Sequence, residues 1–172
     1  PATTATNNTA IGSNSLAAHT TGGNNVALGM NSLAANTTGS SNIAIGAYAY
    51  DANTTGGECV AIGRNALGAA SGVLQCVAIG HEALKVSTAS YNTAVGHQSL
   101  DANTTGTANV AVGDGTLGSN TTGGNNVAMG HFALNTATTA SQNVALGALA
   151  LGGTDWRDLS SVNGDWSGIT AV

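Results

Sequence analysis

The side chains that could do chemistry are few, and they recur at related places. His81, His97 and His131 each stand directly after a glycine, Asp114 holds the same place between the last two, and Arg64 precedes them. Imidazole and carboxylate are ordinary ligands for zinc and its neighbours, so a fold that stacked these positions would offer candidate metal ligands. A solvated polar edge is the simpler reading, and no metal or other cofactor is expected. Cys59 and Cys76 are the only cysteines, too few for a disulfide framework or a four-thiolate zinc site. Both fall where seven other repeats carry asparagine, and one strand spacing is too wide for a relaxed disulfide, so free thiols are expected.

Other motifs weaken on inspection. Gly113-Asp114-Gly115-Thr116-Leu117-Gly118 has the glycine spacing of a dinucleotide fingerprint, but a turn-forming Ser119-Asn120-Thr121-Thr122-Gly123 follows where a helix N-terminus must meet the pyrophosphate. Asp51 to Gly56 and Asp101 to Gly106 imitate the start of a calcium loop and lack its closing glutamate. The Asn-Thr-Thr triplets fit a glycosylation acceptor and equally a turn. No histidine has an evident Ser or Cys partner with an orienting third group, and no carboxylate pair recurs, so the chain is not read as an enzyme.

Composition narrows the classes further. The 172 residues include 25 glycines and one proline, with 6% charged and 3% aromatic residues. A net charge of −5, with Arg64, Lys85 and Arg157 as the only fixed cations, denies nucleic acid its phosphate neutralisation. No window has the apolar length of a membrane helix, so membrane insertion is not expected. The leading Pro1 reads as the residue left after removal of a methionine or leader.

What positions these residues is a repeat. Glycine recurs at Gly12, Gly29, Gly46, Gly63, Gly80, Gly96, Gly113, Gly130 and Gly147, every 17 residues save for 16 between Gly80 and Gly96. Each glycine ends a phrase such as Asn25-Val26-Ala27-Leu28-Gly29. Apolar positions spaced by two and then five, interrupted by glycine, do not suit a helix. They suit a short strand in a parallel β-solenoid of nine coils, where identical residues form ladders along the axis. Alternation along the strand predicts Val26 and Leu28 inward and Ala27 outward. Leu16, Leu33, Tyr50, Leu67, Leu84, Leu100, Leu117, Leu134 and Leu151, four residues after each glycine, predict a second short strand, and Asn36-Thr37-Thr38-Gly39 and its counterparts a corner of positive φ. The seven asparagines predict an amide ladder, and the missing residue of the short interval falls between Lys85 and Tyr91, in a loop. Small Ala and Ser on the outer face predict close packing against another copy.

The phrase Cys59-Val60-Ala61-Ile62-Gly63-Arg64-Asn65-Ala66-Leu67 resembles the head repeat of trimeric autotransporter adhesins of the YadA type, and the Thr-Thr-Gly-x-Asn-Asn linkers resemble its form in bacteriophage tail fibres. The resemblance covers about residues 8 to 151 and implies a left-handed parallel β-roll that associates as a homotrimer. The coil is longer than in the adhesin heads and no stalk, anchor or chaperone domain accompanies it, so a whole autotransporter is not expected. Residues 1–7 read as an N-terminal cap or connection, 8–151 as the solenoid and 152–172 as a cap or docking segment carrying Trp156, Arg157 and Trp166. The expected role is a structural or adhesive element of an extracellular or virion fibre, either a rigid spacer or a binder of a host-surface glycan through loop residues such as Tyr91 or Phe132. The alternative is a self-assembling coat, decoration or filament subunit docked to another virion or fibre protein through its tail.

Overall fold

The computed structural model describes residues 4–152 and 170–171. Nine repeat strands, β1 (Thr9–Ile11), β2 (Val26–Leu28), β3 (Ile43–Ile45), β4 (Val60–Ile62), β5 (Val77–Ile79), β6 (Thr93–Val95), β7 (Val110–Val112), β8 (Val127–Met129) and β9 (Val144–Leu146), form one parallel sheet, and β10 (Thr170–Ala171) pairs with β9. Strand order follows chain order, and repeat alanines face each other in register, Ala27 against Ala44 and Ala61 against Ala78. The chain is therefore a β-solenoid that advances one strand per circuit. The short interval leaves the ladder intact, since Val77 pairs with Thr93, and Thr88 N–H reaches Thr104 O at 2.8 Å on the loop side.

The inward face is the reverse of the one predicted from alternation. Ala27, Ala44, Ala61, Ala78, Ala94, Ala111, Ala128 and Ala145 are wholly buried, whereas Val26, Leu28, Ile43, Ile79 and Met129 are exposed. The reason is room. Leu33, Leu67, Leu84, Leu100, Leu117 and Leu134 are among the largest fully buried side chains and fill the narrow interior. Across from them only a methyl group fits at protein packing density.

The leucines do not lie on a second strand. Their φ angles run near +50°, with Leu33 at 50° and Leu67 at 52°, and the residues two places earlier, such as Asn31 at 57° and Asn65 at 56°, share that conformation. A left-handed residue costs about 1–2 kcal/mol. The cost is offset by burying the leucine and by inter-coil bonds such as Leu33 N–H to Ala49 O at 3.0 Å. A third left-handed column lies just before the asparagine ladder, at Asn24, Ser41, Glu58, Gln75 and Tyr91. The turn glycines behave differently from expectation too. Gly39 is needed for close approach, since a Cβ there would strike Gly56 O, whereas the positive φ belongs to the motif glycines, Gly46 at 132° for example.

Buried amides tie the coils together. Asn126 Nδ2 donates to Asn109 Oδ1 at 2.9 Å and to Ala140 O at 2.8 Å, and Asn143 Nδ2 donates to Asn126 Oδ1 at 3.0 Å. A second ladder joins Asn53 to Asn36 and Asn120 to Asn103, each at 2.9 Å. No helix among the described residues is long and apolar enough to cross a membrane.

Candidate functional site

Because the post-glycine residue repeats with the coil, Arg64, His81, His97, Asp114 and His131 do stand in one column. Arg64 Nη1 lies 3.3 Å from His81 Nε2, and the His81 and His97 rings stack with centroids 5.4 Å apart and planes 12° from parallel. Asp114 then bridges its neighbours, with Oδ1 2.7 Å from His97 Nδ1 and Oδ2 3.4 Å from His131 Nε2. The column lies at the surface, half-buried to exposed; His97 and His131 each present one ring nitrogen to Asp114, whereas His81 presents Nε2 to the Arg64 guanidinium. Among the described residues no group of three or more His, Cys, Asp or Glu side chains is arranged to hold a metal ion.

The remaining motifs resolve in the same way. No helix follows Gly113 to Gly118, and the Phe132 ring lies over Gly115, where a Cβ would collide with it. Asn36, Asn53, Asn103 and Asn120 are wholly buried, with each amide donating to the glycine carbonyl of its own turn, so the folded protein presents no glycan acceptor there. Asp51 and Asp101 are half-buried, and burial raises both carboxyls above their ordinary range. Tyr91 is 58% exposed, and Phe132 packs on His131 with ring centroids 4.2 Å apart. Trp156, Arg157 and Trp166 lie outside the described residues.

Two features were missed by reading along the sequence. The first is the outer face of the sheet, which carries two apolar ladders rather than small residues. One runs through Val26, Ile43, Val60, Val77, Val110, Val127 and Val144, interrupted by Thr93. The other runs through Ile11, Leu28, Ile45, Ile62, Ile79, Val95, Val112, Met129 and Leu146, with Ile11 60% and Met129 46% exposed. Nine strands spaced ~4.8 Å apart make this stripe about 40 Å tall. The repeating phrase holds the signal, and only the assignment of faces hid it.

The second is a group of departures that fall together in two coils. Tyr50 replaces a core leucine, Val73 replaces a turn glycine, and Cys59 and Cys76 replace ladder asparagines. Elsewhere the ladder asparagine donates to the turn carbonyl one coil on, as Asn42 Nδ2 does to Gly56 O at 2.9 Å. At Cys59 the Tyr50 hydroxyl takes over, donating to Val73 O at 3.1 Å and lying 3.7 Å from Cys59 Sγ. The common location of the four departures is the clue.

Three-residue strands stacked in register, left-handed corners and internal amide ladders define a parallel β-solenoid repeat protein. No protein-family model matches the chain, and no match was found among curated proteins or solved structures.

Proposed function

We propose that the chain is a non-enzymatic structural segment of an extracellular or virion fibre, in which copies associate side by side, as a homotrimer, through the outer face of the sheet. The carrying observation is the pair of apolar ladders on the outer face, whose members range from half-buried to exposed, with Ile11, Val26, Leu28, Ile43, Ile79 and Met129 the most open. Soluble monomers rarely expose contiguous apolar stripes of several hundred Å², and larger ones mark interfaces. A second copy is the occupant argued for because a straight, periodic surface is best matched by one of the same period, so that ridges and gaps coincide at every coil. The resemblance to YadA-type heads supplies the number three. A rigid spacer follows from the in-register stacking, and Tyr91 on the loop side is available for surface contact.

The test replaces Leu28, Ile79 and Met129 together by aspartate. These side chains already face solvent, so the β-sheet circular dichroism should persist while the light-scattering mass falls from oligomer to monomer. A wild-type chain that is monomeric at micromolar concentration would remove the reading.

A further inference from the structure

We propose that Cys59 and Cys76, with Tyr50 beside them, form an internal binding site for a soft, two-coordinate d10 cation, with copper(I) the biological member of the class and silver(I) and mercury(II) its probes. Both cysteines are free and fully buried. Their sulfurs point to equivalent places one coil apart: Cys59 Sγ lies 3.3 Å from Gly57 O and 3.6 Å from Val73 O, and Cys76 Sγ lies 3.5 Å from both Leu74 O and Ala89 O. Equivalent atoms in successive coils are separated by about the strand spacing, ~4.8 Å. That is far too wide for a sulfur–sulfur bond of ~2.05 Å. It approaches the span of a linear sulfur–metal–sulfur bridge, since two bonds of the zinc–thiolate length, about 2.3 Å, reach roughly 4.6 Å and a small inward shift of the sulfurs accommodates a shorter bond.

The surroundings suit a thiolate. Cys76 N–H donates to Cys59 Sγ at 3.4 Å, and the Tyr50 hydroxyl approaches the same sulfur. On binding, each sulfur releases its proton to solvent and donates a lone pair to the metal, with no change of oxidation state. Thiolate donors select soft cations over magnesium or calcium. Entry is by the loop side, where Leu74, whose carbonyl touches Cys76 Sγ, is 45% exposed.

The full chain, reduced and held under nitrogen, is titrated with copper(I) against a chromophoric copper(I) chelator. One copper per chain should be withdrawn from the chelator, with a thiolate-to-copper absorption in the ultraviolet. Cys59→Ser and Cys76→Ser should each lose that binding, and Tyr50→Phe should keep its stoichiometry. The double variant Cys59→Asn with Cys76→Asn restores the asparagines of the neighbouring coils, so it should fold, as judged by circular dichroism, and bind no copper. Failure of the wild type to compete, or unchanged binding in the folded double-asparagine variant, would overturn the site.

Discussion

The motif glycines offer a controlled test of how tightly the coils stack. Gly130 and Gly147 occupy successive coils with φ of 128° and 114°, a region that an L side chain enters at a cost of about 1–3 kcal/mol. They differ in what a Cβ would meet. At Gly130 it would lie 2.4 Å from Gly147 O, whereas at Gly147 no described residue lies within 4 Å. Gly130→Ala must therefore push that carbonyl back by about 0.6 Å to reach 3.0 Å. The same shift stretches the 2.8 Å bond from Gly147 N–H to Met129 O and the 2.9 Å bond from Leu149 N–H to His131 O beyond good hydrogen-bond length. Two weakened backbone bonds between exposed residues, at ~0.5–1.5 kcal/mol each, give an excess over Gly147→Ala of about 1–3 kcal/mol. That is roughly 2–12 °C in melting temperature for a chain of this size. Position along the array is controlled by Gly12→Ala in the first coil, where a Cβ would lie 2.5 Å from Gly29 O. Thermal and urea unfolding of the three variants should place Gly12→Ala and Gly130→Ala together, well below Gly147→Ala. Equal losses in all three would mean that backbone strain alone demands the glycine and that coil approach does not.

Two further outcomes follow from the polar interior and the exposed charges. Asn109→Ala removes the donor to Gly123 O at 2.9 Å and the acceptor for both Asn126 N–H at 3.1 Å and Asn126 Nδ2 at 2.9 Å; urea unfolding should show a loss of about 3–5 kcal/mol, since each orphaned buried group costs ~1–3. The Glu82 carboxyl is held down at about 2, from an ordinary 4.5, by Lys85 Nζ at 2.9 Å and Gln98 Nε2 at 3.0 Å. A carboxyl with a lowered folded value binds protons less tightly than in the unfolded chain, so its contribution is complete above about 4.5 and fades as pH falls toward about 2. Glu82→Gln should flatten the acid limb of the stability profile across that window and leave the profile above it parallel to wild type. An unchanged acid limb would refute the role given to that cluster.

The recurrence interval made most of the architecture legible, because in a stacked fold a sequence offset is a spatial neighbour. Strand position, parallel pairing, the column at Arg64 to His131 and the asparagine ladder all follow from it. Which way a strand faces does not follow, and a three-residue strand shows why. Val26-Ala27-Leu28 offers two large side chains against one methyl group, and the usual preference for burying the larger set is overruled by volume already taken. The occupant is Leu33, which enters through a left-handed corner that leucine does not favour and that no propensity announces. The error therefore has a single origin. Once the leucine column is inside, alanine must line the strand face, and the valines and isoleucines must look outward. The same inversion turns an outer surface of small residues into a tall apolar one, so the side-by-side association inferred for this chain now rests on hydrophobic burial. Such an interface should weaken on cooling and resist salt, whereas contacts through the Arg64, His97 and Asp114 column would be screened by it.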